Sequence, residues 1–345
     1  MDVLQFPKSL PEFQRIFPDE AACAKYLEAV RWPEGFVCSS CGHVGEPFRI
    51  NAPSQLILRC RKCRKGTSLT AGTVMHKSHT PLSIWFWAAY LMTTQTPGES
   101  ALQFQRQLGL SRYETAFTIM HKLRSGMVRP ERDSIGGEYP VEIDECYVGG
   151  DTRGKGRGVH DKVGVIGAVE VRPRKEEENT KVIRSSHKCA RRPVTNKVYA
   201  GRLRLQVIPD KSALTITSFV KENVALGATV LSDGNPSYNE LSKMGYEHFP
   251  LVIGGDPEIA NVHLPMIHLV VSNLKGWILG THHGRIEPYH LQAYLNEYVF
   301  RFNRRFYPMT AFNSVLGLAA HSVSPTYAQL YSGEWRHPGT SSQYA

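Results

Sequence analysis

The segment from residue 38 to residue 63, CSSCGHVGEPFRINAPSQLILRCRKC, contains two C-x-x-C pairs with eighteen residues between them. A C-x-x-C turn directs two thiolates at one ion, and two such turns supply the four ligands of a tetrahedral Zn²⁺ site. The ligands would be Cys38, Cys41, Cys60 and Cys63. Because no coordination position stays open, the metal would hold the segment folded and take no part in chemistry. The spacing therefore predicts a zinc ribbon over residues 36–75.

Basic side chains surround the second cysteine pair. They are Arg59, Arg61, Lys62, Arg64 and Lys65. Positive charge at this density is typical of a surface that contacts nucleic-acid phosphates, so we predict that the ribbon binds DNA. The alternative is a small structural module whose charges are only solvated.

The composition sets broad limits on the protein. Its 345 residues suggest two or three domains, and its formal net charge of +10 fits a polyanionic partner without requiring one. The sequence has no run of eighteen apolar residues and no secretory segment, which predicts a soluble, cytoplasmic protein without membrane contact. Cys23, Cys146 and Cys189 are left unpaired, as expected in a reducing compartment.

Helical patterns flank the ribbon. Residues 1–35 are predicted to form a helical segment in which Pro18-Asp19-Glu20 begins a helix, and residues 80–94 to form a buried helix. Within residues 76–130, ALQFQRQLG and ETAFTIMHKLRSGM are joined by a short turn with Ser111 as a helix cap, which resembles a helix-turn-helix.

The second of these helices would enter the major groove of DNA. The contacts would come from Arg112, Thr115, His121, Lys122 and Arg124. Simple packing of two short helices is the alternative.

From residue 140 onward the pattern changes to strands. VEIDECYVGG, KVGVIGAVEV, RLRLQVI and ATVLSDG read as strands, and ALTITSFVKENV and LQAYLNEYVFRFNRR read as helices. This order predicts an α+β domain with a central sheet and flanking helices. The charged residues 172–197 are predicted to be a basic loop inserted between strands, and the polar residues 333–345 a loose tail.

The glycine-rich stretch GGDTRGKGRG directly follows the first of these strands. It resembles a phosphate loop, but Gly156 follows Lys155 where the Ser or Thr that binds Mg²⁺ is needed. We therefore predict no nucleotide cofactor. Arg153 and Lys155 are instead expected to contact the DNA backbone.

Three polar residues stand in apolar surroundings. Asp144 lies within a strand pattern, Asp233 ends another strand, and His268 opens a third apolar stretch. Strand alternation places Asp144 on the same face as Glu142 and Cys146. Two carboxylates that meet can bind hard cations through oxygen, and a pair of such ions supports in-line phosphoryl transfer. Turn-capping aspartates and a structural histidine are the alternatives.

The blocks VEIDECYVGG, SDGNPSY and VHLPMIHLVVSNLKGWILGTHHG resemble the three catalytic blocks of bacterial insertion-sequence transposases of the DDE type. The group with an N-terminal zinc ribbon, called ISXO-two-like, is the most similar, and the ribbon and FQRQLG helix occur in its order. The resemblance implies an RNase H-like catalytic domain, here over residues 138–325. It also implies two Mg²⁺ or Mn²⁺ ions.

The resemblance assigns roles to individual residues. Asp144 and Asp233 match the first and second acids, and Lys275 matches a lysine that grips DNA phosphate. His268 falls at the third ligand position, where many relatives carry glutamate, and an imidazole nitrogen suits Mn²⁺ better than Mg²⁺. Asn273 is the second choice for this ligand. Glu287 and Glu297 are further substitutes.

The activity implied is binding of the element's terminal inverted repeats, cleavage of the DNA strand and joining of the 3′-OH to target DNA by transesterification. A homodimer or larger assembly on DNA in the bacterial nucleoid is expected of such an enzyme. The alternatives are a non-catalytic zinc-ribbon and helix-turn-helix regulator, and a metal-dependent nuclease that does not join strands.

Overall fold

The computed structural model describes residues 6–52, 55–129, 131–149, 162–174, 197–251, 263–284 and 286–332. In chain order its elements are α1 (Leu10–Ile16), α2 (Glu20–Arg31), β1 (Phe48–Ala52), β2 (Gln55–Arg59), β3 (Gly66–Ser68), α3 (Leu82–Thr94), α4 (Ala101–Gln107), α5 (Tyr113–Gly126), β4 (Val141–Val148), β5 (Val163–Pro173), β6 (Val198–Ile208), α6 (Ala213–Asn223), β7 (Thr229–Asp233), α7 (Glu240–Lys243), β8 (Glu247–Leu251), α8 (Pro265–His282), α9 (Pro288–Phe302), α10 (Pro308–His321) and α11 (Tyr327–Ser332).

These elements form two compact units. The helical unit contains α1 to α5, the small sheet β1 to β3, and α9 to α11, whereas the sheet unit contains β4 to β8, α6, α7 and α8 as far as Leu279. The predicted mixed α+β class is confirmed. None of the helices within the described ranges is long and apolar enough to cross a membrane.

The core of the helical unit is rich in aromatic rings. Phe13 of α1 meets Phe312 of α10 with ring centroids 5.7 Å apart, and Phe17 meets Phe86 of α3 at 4.9 Å. Edge-to-face contacts at such distances add to the free energy gained by burying the rings. Because α10 fills this core, the C-terminal helices group with the N-terminal ones, whereas the predicted catalytic domain extends to residue 325.

The sequence located most helices of this unit. Helix α2 begins after Asp19, whose carboxylate accepts a hydrogen bond from the amide of Ala22 at 2.8 Å. Helices α4 and α5 lie where the two short patterns predict them. Ser111, however, is not the cap of α5. Arg112 holds that position and no side chain there makes a capping hydrogen bond.

The zinc-ribbon segment forms an antiparallel sheet of order β1-β2-β3. Its own buried cluster is small and contains two of the predicted metal ligands: Phe36, Cys38, Leu58 and Cys60. A core of this size supplies little burial energy, so a bound metal must provide much of the stability of this fold.

The larger sheet has the order β6-β5-β4-β7-β8. Strands β4, β5 and β6 pair antiparallel, whereas β7 and β8 run parallel to β4. On one face, Val141 and Ile143 of β4 pack with Ile216 and Phe219 of α6. The opposite face of β4 carries Glu142, which bonds to α8.

Several sequence predictions fall outside the described residues. These are Arg153 and Lys155 of the basic loop, Cys189, residues 175–196 of the insertion, and the tail 333–345. The strands that flank the insertion are described, and Pro173 of β5 pairs with Val198 of β6. The described residues on either side of the insertion are therefore in paired antiparallel strands, and the insertion itself stays a prediction.

Candidate active site

The four predicted zinc ligands come together. Their sulphur atoms all lie within 4.8 Å of one another, with Cys38 Sγ 3.6 Å from Cys63 Sγ and Cys41 Sγ 3.8 Å from Cys60 Sγ. Four sulphurs at about 2.3 Å from a tetrahedral Zn²⁺ would be about 3.8 Å apart. The cluster thus has the dimensions of a structural zinc site. Backbone amides of Ser40 and Cys41 lower the pKa of Cys38 to about 6, which favours the thiolate that binds metal.

Asp144 and Asp233 are brought together by the parallel pairing of β4 with β7. Val141 pairs with Val230, and Glu142 pairs with Leu231. Asp144 and Asp233 each lie two residues beyond the second pair. The charge of Asp233 also acts on Asp144, which agrees with the two carboxylates lying near each other.

His268, in the first turns of α8, approaches the first aspartate. Its Nε2 lies 3.4 Å from Asp144 Oδ2, and both side chains are about a quarter exposed, so ions and substrate can reach them. Gly167 faces Asp144 across the β4–β5 ladder, and a Cβ there would come within 2.9 Å of Ile267 Cδ1. The missing side chain at Gly167 lets α8 lie this close to the sheet.

The electrostatics around Asp144 favour a bound cation. Burial raises the pKa of Asp144 to about 7, with further increases from the charges of Glu145 and Asp233. The amide of Glu145 and the charge of Lys211 act in the opposite direction. Burial lowers the pKa of His268, which leaves its imidazole neutral and able to donate a lone pair.

Glu142 fixes the start of α8. It is 2% exposed, and its Oε2 accepts hydrogen bonds from the amides of Met266 and Ile267, both at 2.8 Å. Burial raises its pKa to about 7, against the lowering effect of these two amides. Sequence reasoning placed Glu142 on the face of Asp144 but assigned it no role.

A second network lies on the other face of β4. The buried Tyr238, in the short helical turn after Asp233, donates a hydrogen bond to Glu145 Oε1. Lys211 Nζ lies 3.2 Å from Glu145 Oε2. Sequence reasoning missed this network, although Tyr238 stands within the quoted SDGNPSY block.

The helical geometry of α8 separates the other candidates. Lys275 is seven residues beyond His268, a rotation of only about 20° from the same face, whereas Asn273 points about 140° away. Burial raises the pKa of Cys146 to about 11 and the charge of Lys275 opposes this, so Lys275 lies near β4. Glu297 belongs to the helical unit, where it is fully buried and bonded to Arg124 at 2.8 Å. That ion pair disfavours Glu297 as a third ligand.

The donor set of Asp144, Asp233 and His268 suits Mg²⁺ or Mn²⁺, but it is not tightly gathered. Among the residues described, the four cysteines alone form a compact group of three or more possible metal ligands. Within the described residues Asp144, Asp233 and His268 do not form such a group, although His268 Nε2 lies 3.4 Å from Asp144 Oδ2.

Comparison with known proteins finds two matching family models. The ISXO2-like transposase domain matches residues 135–303, and the transposase zinc-ribbon domain matches residues 18–66. Over these two ranges the chain is similar to insertion-sequence transposases. It is also similar to an uncharacterized protein in transposable element ISH50 of Halobacterium salinarum, with 27% identity over 297 residues, covering 83% of this chain and 94% of that protein. No solved structure matches the chain.

The transposase domains imply DNA binding, and the predicted contact residues differ in exposure. Arg59, Arg61, Lys62 and Arg64 are exposed on the ribbon, and Arg112 and Lys275 are exposed on their helices. Arg61 and Arg64 lie over the ring of Phe48, 4.6 Å and 5.3 Å from its centroid. This stacking holds two of the ribbon's cations on one side of the small sheet.

Three of the predicted DNA contacts on α5 are buried within the helical unit. Arg124 is 2% exposed and Lys122 is 8% exposed, and the third candidate on this turn, His121, is fully buried. Arg124 bonds to Glu297, and Lys122 Nζ donates to the backbone oxygen of His76 at 3.4 Å. The two basic side chains point about 160° apart around α5, Arg124 toward Glu297 of α9 and Lys122 toward His76 in the segment before α3, so tertiary contacts bury both.

Proposed function

We propose that the protein is the DNA transposase of an insertion sequence, which cleaves the element's ends and joins their 3′-OH groups to target DNA. The proposal is supported by the parallel pairing of β4 with β7, which ends two residues before Asp144 and Asp233, and by His268 Nε2 lying 3.4 Å from Asp144 Oδ2. The match of the ISXO2-like transposase domain spans all three residues.

The sheet order supports an RNase H-like catalytic core. Three antiparallel strands followed by two strands parallel to the first give β6-β5-β4-β7-β8, with helices on both faces. Asp233 ends β7, at the edge where open α/β sheets bind ligands, and Asp144 lies in the middle of β4. Helices α4 and α5 are proposed to form the helix-turn-helix, with the exposed Arg112 at the DNA.

The chain's own residues would prepare the site for phosphoryl transfer. Asp144 and Asp233 would hold the ions as carboxylates, with His268 as the third ligand. Two bound divalent ions supply charge stabilisation at the entering and leaving oxygens. The exposed Lys275, on the same face of α8 as His268, would bind a DNA phosphate and align the strand. No covalent protein intermediate and no nucleotide cofactor are required.

The proposal is tested by incubating Asp144→Asn, Asp233→Asn and wild-type protein with terminal-repeat DNA and Mg²⁺ or Mn²⁺. We expect both variants to bind the DNA and to lose strand cleavage. Glu240→Gln is the matched control, because Glu240 is an exposed acid of the same unit. Retained cleavage in either aspartate variant would refute the site. If the wild-type protein binds the DNA without cleaving it, the protein is the non-catalytic regulator. If it nicks the DNA without forming joined products, it is the nuclease.

A further inference from the structure

Strand β4 carries acidic residues on both sides of Asp144. Glu142 precedes it on the same face, and Glu145 follows it on the opposite face. Glu142 is 2% exposed and Glu145 is 8% exposed. Burying a carboxyl group costs folding free energy unless the group is hydrogen-bonded or paired with a charge. Both are bonded, and each bonds to a different segment of the site.

Glu142 bonds to the segment that carries His268. Its Oε2 accepts from the amides of Met266 and Ile267, the two residues directly before His268. These amides belong to the first turn of α8 and have no acceptor within the helix. A buried oxygen acceptor on β4 therefore fixes both the position and the direction of the helix that presents His268 and Lys275.

Glu145 bonds to the segment that follows Asp233. Its Oε1 accepts from the hydroxyl of Tyr238, and its Oε2 lies 3.2 Å from Lys211 Nζ. Between them, Asp233 Oδ1 accepts from the amide of Asn235 at 3.1 Å, and Asn235 Oδ1 accepts from the amide of Ser237 at 3.0 Å. The turn from Asp233 to Tyr238 is thus a bonded chain that ends on β4.

We infer that Glu142 and Glu145, with Tyr238, are positioning residues that set the separation of His268 and Asp233 from Asp144. Strand β4 carries Asp144 itself. It positions His268 through Glu142 and Asp233 through Glu145. This arrangement matters because the three donors do not form a closed cluster by themselves. The inference rests on the proposed function, since it concerns how the same site binds its ions.

The role predicts an effect on metal affinity that a merely stabilising contact would not have. Groups that orient ligands typically change metal affinity by about 10- to 100-fold when removed. Glu142→Ala and Tyr238→Phe should each weaken Mn²⁺ binding by about tenfold or more. Glu142→Gln retains an oxygen that can accept from both amides and should restore affinity to within about threefold of wild type, by the same reasoning.

The experiment uses the full chain and isothermal titration with Mn²⁺, beside the thermal melting temperature and hydrogen exchange of the amides of Met266 and Ile267. Glu170→Gln is the control. Glu170 is fully buried in the same sheet but bonds to Arg172 and Arg202, so its loss should lower stability and leave Mn²⁺ affinity unchanged. Faster exchange at the two amides should accompany weaker binding in Glu142→Ala only.

The outcomes separate the two proposals. Glu142→Ala and Tyr238→Phe with wild-type Mn²⁺ affinity, in a protein whose binding is lost in Asp144→Asn, would overturn the positioning role and leave the proposed function standing. A wild-type protein whose Mn²⁺ binding does not depend on Asp144 would refute both. If Glu142→Ala does not fold, Tyr238→Phe decides: weakened Mn²⁺ binding supports the positioning role through Glu145, and wild-type binding overturns it.

Discussion

Replacement of Arg124 by methionine tests whether α5 uses this side chain for packing or for DNA. Its guanidinium lies 2.8 Å from Glu297, with side chains 2% and 0% exposed, and it stacks over Tyr294 at 4.7 Å. Removing one partner of such a pair costs about 3–5 kcal/mol, because the other charge stays buried without compensation. Arg301 still lies 3.4 Å from Glu297, so we expect the lower end, about 3 kcal/mol.

For a unit of this size, that loss corresponds to a fall in melting temperature of about 6–12 °C. Denaturant unfolding and calorimetry measure it, and DNA affinity is then compared at a temperature where both proteins are folded. Arg124→Met with Glu297→Leu should recover most of the stability, because no buried charge remains. Arg112→Met is the control on the same helix. It should change stability by less than about 0.5 kcal/mol and weaken DNA binding. Unchanged stability with lost DNA affinity in Arg124→Met would show that Arg124 contacts DNA.

Three further predictions concern metal, pH and the third ligand. Cys60→Ser, or a strong chelator, should release one Zn²⁺ per chain and unfold the ribbon while the near-ultraviolet signal of the aromatic core persists; a loss of the whole core signal would contradict this. Burial, with the charge of Arg124, lowers the pKa of His282 to about 3 and of His290 to about 4. Above pH 6.5 both are neutral whether the chain is folded or unfolded, but below it the unfolded chain binds protons that the folded unit does not. As the pH is lowered from 6.5 toward the folded pKa values, the free energy of unfolding should therefore fall by about 1.4 kcal/mol per pH unit for each histidine. Glu99, whose pKa burial raises to about 7, acts in the opposite direction between its ordinary pKa of 4.5 and pH 7, so urea melts of His290→Gln against wild type isolate the slope. His268→Ala should abolish cleavage, whereas His268→Glu should keep it with a shift from Mn²⁺ toward Mg²⁺; full activity of His268→Ala beside an inactive Asn273→Ala would assign the ligand to Asn273.

The elements that the sequence predicted well are those whose patterns are local. The apolar run of α3, the alternation of β4 and the Asp19 cap of α2 each follow from a few consecutive side chains. Strand β8 and helix α10 were missed. The exposed, mixed pattern of β8 gives no clear alternation, and its parallel pairing with β7 stabilises it instead.

Errors in the sequence analysis arose where a residue's surroundings come from distant parts of the chain. The basic residues Lys122 and Arg124 look like a DNA-facing turn because charge usually marks the solvent side of a helix. Arg124 is buried because Glu297, 173 positions away, supplies a countercharge. The grouping of α10 with the N-terminal helices is also set by distant contacts, since Phe312 of α10 packs against Phe13 of α1.

The sequence by itself indicated the zinc-ribbon cysteines, the α+β class and the two aspartates as candidate metal ligands, because thiolate spacing and strand periodicity are encoded within short stretches. Only the tertiary structure decided that Asp144 and Asp233 follow paired residues of β4 and β7, that His268 approaches Asp144, and that Glu142 holds the helix presenting His268. Met266 and Glu142 are 124 positions apart, and no local pattern specifies such a contact. It forms because a buried carboxylate and the open amides of a helix each need a partner, and the packed sheet brings the two together.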